Sequence, residues 1–324
     1  MATVDEALER YGSALRACRR ALLRDLAGAP CERELREHFA RGKLIRPLVA
    51  LASTSAVGGD PDRALAAAQA IELLHGASLI HDDIIDAAEQ RRGLPALHVR
   101  LGADVALGIG DYLQMRAFSA LATARESHPA ERVLAAIDAL ARYAQACCRG
   151  EVEELLRREA GDPEVAYLAI VRAKTASQFA AAASVAAILA GARREQVAAL
   201  EVFGLSAGTA FQIRDDVLDI VGETRRLGKP AGNSLALGRP TLPLIYLEHY
   251  GSRAARAEYH RLLSDGRDRR AIAALLDREG LLERIDAVQN GCVQEAILAL
   301  EPLPHSSGRA TLEAVARLAA VHDA

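Results

Sequence analysis

Two segments of the chain each contain three aspartates at the same spacing, and both segments are otherwise apolar. The six residues are Asp82, Asp83 and Asp86 in SLIHDDIIDAAEQRRG, and Asp215, Asp216 and Asp219 in FQIRDDVLDIVG. On a helix, side chains four positions apart lie on one face, and the next residue along is rotated by about 100°. Unpaired carboxylates are costly among Leu, Ile and Val side chains. We therefore predict that the outer aspartates of each motif hold one ligand and that the middle one reaches around it.

The chemistry of the six carboxylates indicates the kind of ligand. Oxygen donors with no His or Cys beside them at ligand spacing favour Mg²⁺ or Mn²⁺ over zinc. Magnesium keeps several waters and commonly bridges protein carboxylates to substrate phosphate oxygens. Neither motif has the alternating acids, the glycine and the distal glutamate of a calcium-binding hand. The two motifs therefore predict Mg²⁺ bound together with a phosphorylated substrate.

Basic residues recur near the acidic motifs, as a diphosphate would require. They are Lys43, Arg46, Arg91, Arg92, Lys174, Lys229 and Arg239. Arginine suits forked recognition of phosphate, and lysine supplies a compact charge. Each residue alone is better explained as a solvated surface residue, and only their recurrence beside the acidic motifs favours binding. The segments GETRRLGKP and GIGDYL do not have the spacing of a nucleotide-binding loop or of a dinucleotide fingerprint.

Helical patterns extend over most of the chain and predict an all-α fold. Of the 324 residues, 51% are hydrophobic but only 4% are aromatic, and Ala and Leu, both strong helix formers, dominate. Apolar residues recur every three or four positions from 64 to 86, and Asp162 followed by Pro163 predicts a helix start. The one long irregular stretch is 222–243. No linker-like shift in composition interrupts the pattern, so we expect a single domain over 1–324.

Charge and cysteine content narrow the class of protein further. The net charge of −3 argues against a nucleic-acid binder. The five cysteines show no metal-binding or paired spacing, as expected in a reducing cytosol. The amino terminus carries early acids and no apolar core, unlike a signal peptide, and the apolar run 179–191 is too short to span a bilayer. We therefore expect a cytoplasmic protein without stable membrane insertion.

Several longer segments, in this order, resemble the trans-prenyl diphosphate synthases of the polyprenyl synthetase family. They are GKLIRP (42–47), IELLHGASLIHDDIIDAAEQRRG (71–93), GDYL (110–113), KTASQF (174–179), FQIRDDVLDIVG (211–222) and GKPAGNSLALGRPTLP (228–243). The resemblance covers about two-thirds of the chain. It implies a helical bundle of the isoprenoid synthase type around a central apolar cavity. It also implies head-to-tail condensation of isopentenyl diphosphate with an allylic prenyl diphosphate, and a homodimer.

The same resemblance implies a role for each matching residue. Three Mg²⁺ ions and the allylic diphosphate would be held by Asp82, Asp83, Asp86, Asp215 and Asp219, with Asp216 in support. That diphosphate would also contact Arg91, Lys174 and Lys229, while Lys43, Arg46, His75 and Arg92 would hold isopentenyl diphosphate. Thr175 and Gln212 would lie beside the reacting carbons. Arg239 keeps the charge of a frequent Lys, whereas Ser234 and Glu154 depart from the family's more frequent residues.

Product length depends on the residues just before the first motif. By resemblance, fifteen-carbon synthases carry aromatic residues at the positions occupied here by Ala77 and Ser78, both small. We therefore expect a product longer than fifteen carbons. Candidates for a deeper floor are Leu74, Tyr112, Met115 and Phe118, although ordinary core packing explains each of them equally well.

Two other functions are compatible with parts of this pattern. A class I terpene cyclase also ionises a diphosphate with Mg²⁺, but it typically pairs one aspartate motif with an Asn/Ser/Glu triad and has no need of the Lys43/Arg46 site. A non-catalytic subunit of a heteromeric prenyl synthase is the second alternative, which Ser234 and Glu154 favour and the intact motifs disfavour.

Overall fold

The computed structural model describes residues 3–156, 161–222, 232–264, 266 and 268–319, and this part of the chain is almost entirely helical. In chain order the helices are α1 (Val4–Arg10), α2 (Gly12–Asp25), α3 (Glu32–Ala40), α4 (Ile45–Ala56), α5 (Leu65–Ile85), α6 (Leu97–Leu101), α7 (Ala103–Ala122), α8 (Ala130–Leu156), α9 (Pro163–Val171), α10 (Ser177–Ala190), α11 (Arg194–Val221), α12 (Asn233–Leu237), α13 (Leu242–Tyr250), α14 (Arg253–Ser264), α15 (Arg269–Arg278), α16 (Leu281–Ala299) and α17 (Ser307–Leu318). The predicted all-α class is confirmed.

Local sequence signals account for several of these boundaries. The helix predicted over 64–86 is α5. Asp162 caps α9 by accepting the backbone N–H groups of Glu164 and Val165, and Pro163 occupies the first helical position, where its missing N–H costs nothing. The stretch predicted to be irregular, 222–243, contains the short helix α12 in its described part. Gly232 and Gly238, both with positive φ, flank this helix and allow the chain to turn at each end.

Buried apolar residues form two clusters. The larger one includes residues of α4, α5, α7 and α10, and the smaller one includes residues of α13, α14 and α15. The long helices α11 and α16 contribute to both clusters. The cores are therefore continuous along these two helices, and α11 carries the second aspartate motif at its carboxyl end.

Glycines allow α10 and α11 to approach each other at backbone distance. A Cβ atom at Gly204 would lie 2.4 Å from the Cα of Ala180, and one at Gly208 would lie 2.6 Å from the Cα of Ala176. Any larger residue would push the helices apart. This close packing brings the start of α10 against the part of α11 that precedes its aspartates.

Between α9 and α10 the chain forms one π-helical turn, Arg172–Ala176. Helix α8 packs against this turn at Gly150, where a Cβ atom would be 2.7 Å from the backbone N of Lys174. π-turns interrupt regular helices and often lie at functional sites. Here the turn contains Lys174 and Thr175, two of the predicted site residues.

A two-stranded antiparallel hairpin follows the first aspartate motif. Its strands are β1 (Gln90–Arg91) and β2 (Leu94–Pro95), and Arg91 pairs with Leu94. Arg92 and Gly93 form the turn, both with positive φ, as a tight two-residue hairpin turn requires. The turn therefore holds Arg92 in a backbone conformation that a non-glycine residue seldom adopts.

One continuous stretch, Pro163–Ala190, is long and apolar enough to cross a membrane by length and composition. However, 67% of an apolar 18-residue segment within it is buried inside the protein, as is usual for a core helix. The stretch is accounted for by its packing against α4, α8 and α11.

Candidate active site

A cavity of about 1680 Å³ opens among α5, α8, α9, the π-turn and α11. Both aspartate motifs contribute to its lining, on facing helices, together with residues of α13 and α14. The predicted site residues that line it are Lys43, Arg46, His75, Ser78, Asp82, Asp86, Arg91, Arg92, Lys174, Thr175, Gln212, Asp215, Asp216, Asp219 and Arg239. Lys229 lies outside the described residues.

The three aspartates of the first motif, at the end of α5, lie in two different environments. Asp82 and Asp86 face the cavity. Asp83 is 3% exposed and accepts a hydrogen bond from Nε of Arg91 at 2.9 Å. The expectation that Asp83 reaches around to the shared ligand is therefore wrong for this structure, because the 100° rotation directs it towards the hairpin instead. Asp83 positions Arg91.

The second motif, at the end of α11, is held by hydrogen bonds. Asp216 accepts hydrogen bonds from the Tyr167 hydroxyl and from the Gln212 amide, both at 2.8 Å. Its burial, opposed by these two hydrogen bonds, raises its pKa to about 7. Asp219 accepts backbone N–H groups from Gly232, Asn233 and Ser234, at 2.9 to 3.3 Å. Asp219 therefore anchors the start of α12 as well as lining the cavity.

Lys174 lies between the first motif and α8. Its ammonium is 2.7 Å from Glu154 and 3.8 Å from Asp82, and it also pairs with Glu151. Burial alone would lower the pKa of Lys174, but these carboxylates outweigh it and raise the pKa above its usual value. Arg239 pairs with Asp86 and lies 3.9 Å from Glu154. Glu151 was missed in the sequence because a single glutamate in a helix carries no distinguishing signal.

Desolvation also acts on the first motif itself. Burial raises the pKa of Asp82 to about 6, with Lys174 opposing the rise and Glu151 and Asp86 adding to it. Burial raises the pKa of Asp86 as well, against the opposing effect of Arg239. Cations near these carboxylates therefore stabilise the charged form.

A second basic group lies where α4 begins. The Arg46 guanidinium is 3.2 Å from His75 Nε2, and Lys43 lines the cavity beside it. Glu72, which is 3% exposed, lies among the arginines, and burial raises its pKa while Arg46 and Arg92 oppose the rise. Sequence reasoning missed Glu72, although its position one turn before His75 on α5 places it on the same face.

Arginines from other elements hold the loop that carries Lys43 and the end of α3, which precedes this loop. The Arg19 guanidinium of α2 donates to the carbonyl of Gly42 at 2.6 Å, and Arg92 donates to the carbonyl of His38 at 3.1 Å. A Cβ atom at Gly42 would be 3.1 Å from Oε1 of Glu72 and 3.3 Å from Nη1 of Arg92. The amino-terminal helices therefore fix the geometry of this basic group.

The predicted chain-length residues divide into three groups. Ser78 lines the cavity. Ala77 is fully buried and Leu74 is 9% exposed, and neither lines the cavity, because they lie on the side of α5 that packs into the core. Tyr112 and Phe118 pack against the same core, outside the described lining. Met115 is 60% exposed on α7, so its assignment to the cavity floor is wrong.

The carboxylates can be tested against the metal that they imply. In the described ranges, no three His, Cys, Asp or Glu side chains converge closely enough to enclose an ion. Mg²⁺ does not need such a cage, since it typically binds one or two carboxylates together with waters and substrate phosphates. The oxygen-only donors Asp82, Asp86 and Asp215, all facing one cavity, fit that pattern.

The sequence matches the polyprenyl synthetase family over residues 30–277. It is 38% identical over 286 residues to a short chain isoprenyl diphosphate synthase of Methanothermobacter thermautotrophicus, covering 86% of this chain and 87% of that protein. It is 33% identical over 283 residues to an octaprenyl diphosphate synthase of Haemophilus influenzae, covering 86% and 83%. The chain therefore belongs to the polyprenyl synthetase family.

The structure agrees with this assignment. The crystal structure of a polyprenyl synthase from Caulobacter crescentus, complexed with calcium and isoprenyl diphosphate, superposes with a TM-score of 0.88 and 31% identity, over 98% of this chain and 97% of that one. The fold is thus that of the isoprenoid synthases. As an isoprenyl diphosphate synthase, the protein is a trans-prenyltransferase.

Proposed function

We propose that this enzyme condenses isopentenyl diphosphate with an allylic prenyl diphosphate to give a chain longer than fifteen carbons. The observation that carries the proposal is that Asp82, Asp86 and Asp215, on two facing helices, line one cavity together with Lys174 and Arg239. Carboxylates for divalent cations and cationic side chains for a diphosphate thus lie on the same surface.

Several residues of the cavity would stabilise the allylic diphosphate as the leaving group. Lys174 and Arg239 stabilise the negative charge that builds up on the allylic diphosphate as it leaves. Asp82, Asp86 and Asp215 would hold Mg²⁺, which would supply positive charge at the same diphosphate. Arg91, held by Asp83, would add positive charge from the hairpin. Asp219, on α11, would add a carboxylate for the metal.

The isopentenyl diphosphate site is assigned to the basic group at the start of α4. Lys43, Arg46 and Arg92 would bind its phosphates, and neutral His75, which lies 3.2 Å from the Arg46 guanidinium, would act there by holding Arg46 in place. Burial, with Arg46 and Arg92 nearby, lowers the pKa of His75 well below its usual range. The buried Glu72 balances part of the arginine charge.

The reacting carbons would meet beside Thr175 and Gln212. The Thr175 hydroxyl donates to Oε1 of Gln212 at 2.8 Å, and the Gln212 amide donates to Asp216, so both side chains are fixed. Fixed dipoles and apolar walls keep water from the allylic cation. The double bond of isopentenyl diphosphate then attacks the cation, and the departing diphosphate takes the proton.

We also propose a cytoplasmic homodimer. Leu107 and Met115, which are exposed apolar side chains within about 80° of each other around α7, support a covered surface there. The family resemblance supports two copies of the same chain as the assembly.

The test is incubation of the purified protein with Mg²⁺ and isopentenyl diphosphate, and separately with geranyl, farnesyl or geranylgeranyl diphosphate, followed by mass spectrometry. The expected result is a product ladder that rises by isoprene units and stops beyond fifteen carbons. A cyclic hydrocarbon or an alcohol would instead indicate a cyclase. Lack of turnover with every primer would indicate a non-catalytic subunit.

A further inference from the structure

Gln178 lies one helical turn after Lys174, and its side chain extends from α10 to side chains of α5 and α8. Its Nε2 lies 3.3 Å from Oγ of Ser78 on α5 and 3.5 Å from Sγ of Cys147 on α8, and its Oε1 lies 3.2 Å from Nδ1 of His75. All four of these side chains line the cavity. We call this set, Gln178 with His75, Ser78 and Cys147, the Gln178 bridge.

The orientation of the amide follows from Arg46. A guanidinium can only donate, so Nη1 of Arg46 donates to Nε2 of His75 at 3.2 Å. The proton of the neutral imidazole is then on Nδ1 and is donated to Oε1 of Gln178. The NH₂ group therefore faces Ser78, whose own hydroxyl donates to the His75 carbonyl at 2.9 Å, and Cys147. Arg46, a residue of the predicted isopentenyl diphosphate site, thus determines the orientation of the Gln178 amide through His75.

Among the described residues, the cavity lining ends at Cys147 on α8 and at Gln178 on α10, and on α5 only Glu72, which belongs to the basic group around Arg46, lines the cavity beyond His75. One turn deeper lie Leu74 on α5, Tyr143 on α8 and Ala182 on α10, and none of them lines the cavity. Tyr143 lies 3.1 Å from the hydroxyl of Ser184 on α10, which makes a second polar link between α8 and α10. A hydrocarbon growing along α5 away from Asp82 therefore passes the small side chain of Ser78 and meets the Gln178 amide, which reaches His75 one turn deeper, before it reaches Tyr143.

We propose that Gln178 limits the product length of this enzyme by closing the hydrocarbon channel between α5, α8 and α10. The inference rests on the proposed function. A prenyl product that extends past the bridge displaces the Gln178 amide from its hydrogen-bond partners. The amide is then unpaired and in contact with hydrocarbon, which is unfavourable. Each added isoprene unit also buries more apolar surface, which is favourable. The cost of opening the bridge falls on a single elongation step, and elongation stops at that step because the apolar surface gained in it does not offset the lost hydrogen bonds.

The direct test is the product of Gln178→Ala with Mg²⁺, isopentenyl diphosphate and farnesyl diphosphate, read by mass spectrometry. The main product is expected to be at least one isoprene unit longer than that of the wild type. Ser177→Ala is the matched control, because Ser177 is the adjacent residue, is 2% exposed and does not line the cavity. Its product is expected to be unchanged. Equal product lengths for Gln178→Ala and the wild type would overturn the proposal.

A substitution on α8 tests the same part of the channel independently of Gln178. It shows whether this part limits product length even if Gln178→Ala is inactive. Cys147→Leu adds bulk from α8 and is expected to shorten the main product by at least one isoprene unit. An unchanged length would overturn the proposal. The order of the two barriers is tested with Tyr143→Ala, which should matter only in combination with Gln178→Ala. A longer product from Tyr143→Ala alone would contradict the primary role of Gln178.

These outcomes are distinct from a failure of the proposed function. If the wild type and all variants elongate to one common length, only the role of Gln178 is wrong. If the wild type elongates none of the primers, the proposed function falls and the role of Gln178 falls with it.

Discussion

Asp82 and Asp83 are adjacent in the chain, yet their side chains have different surroundings. Asp82 faces the cavity beside Lys174, and Asp83 is buried against Arg91. We expect Asp82→Asn to lower kcat by about 10²-fold or more and to raise the Mg²⁺ concentration needed for half-maximal rate, because a ligand oxygen loses its charge. The measurement is diphosphate release as a function of Mg²⁺ concentration.

Asp83→Asn is the matched variant for that comparison. It removes a charge that pairs with Arg91, so we expect a loss of about 1.5–3 kcal/mol in the free energy of unfolding. Its half-saturating Mg²⁺ concentration should stay close to that of the wild type. An equal shift in Mg²⁺ dependence for both variants would return Asp83 to the metal site.

A buried histidine predicts how stability changes with pH. Burial, with Arg92 and Arg91 nearby, lowers the pKa of His38 from 6.5 to about 3. Between these values the unfolded chain binds more protons than the folded one, so stability falls as the pH drops below about 6.5. At pH 5 the contribution of His38 to this loss is about 2 kcal/mol.

His38→Phe should remove that part of the pH dependence, whatever it does to stability at neutral pH. The measurement is the free energy of unfolding by denaturant at several pH values from 5 to 7. A variant whose stability falls with acid as steeply as that of the wild type would show that His38 is not responsible.

At the scale of elements, the packing of α8 against the π-turn holds Lys174 and Thr175 in place. Gly150→Ala puts a methyl group 2.7 Å from the Lys174 backbone N, so α8 or the turn must shift. We expect a loss of about 1–3 kcal/mol of stability and a lower kcat. Gly291→Ala is the control, because no atom other than its chain neighbours and the backbone of its own helix lies within 4 Å of the added methyl group. It should gain about 0.5–1 kcal/mol.

Thermal unfolding and steady-state kinetics of both alanine variants test this expectation. A Gly150→Ala variant with wild-type stability and rate would mean that the π-turn tolerates displacement. The same result would weaken the link between the turn and the position of Lys174.

The helical elements were predictable because their periodicity is strong and because propensity and caps agree with it. The α5 helix and the Asp162 cap are examples. The placement of both aspartate motifs at one cavity agrees with the prediction that they bind one metal-bound substrate, since unpaired carboxylates are costly among apolar residues. Positions such as Met115 and Ala77 were not, because a helical sequence alone does not say which of several apolar faces borders a cavity.

Partners of the motif residues were harder to predict for a different reason. Glu72, Glu151 and Gln178 are single residues on helices, and their roles arise from contacts with distant parts of the chain. Gln178 lies 31 residues from Cys147 and 100 from Ser78. No local pattern encodes such contacts, and only the fold brings them together.

At the scale of the whole molecule, the proposed homodimer gives a simple test. Met115 is 60% exposed on α7, and a charge there would oppose burial of that face. We expect Met115→Glu to convert a dimer into a monomer, measured by size-exclusion chromatography with light scattering. Leu298→Glu on α16, where the native side chain is 58% exposed, should remain a dimer. A monomeric wild type, or a dimeric Met115→Glu, would contradict this surface.

The ion pairs between the cationic side chains and the protein's own carboxylates have a consequence for the order of binding. Lys174 is shared by Asp82, Glu151 and Glu154, and Arg239 by Asp86 and Glu154. A bare anion entering the cavity has to compete with these carboxylates and gains little. A diphosphate that arrives as its Mg²⁺ complex would bring cations for the aspartates and would leave Lys174 and Arg239 to pair with phosphate oxygens. We therefore expect the site to favour the metal complex over free phosphates, so that metal and substrate enter together.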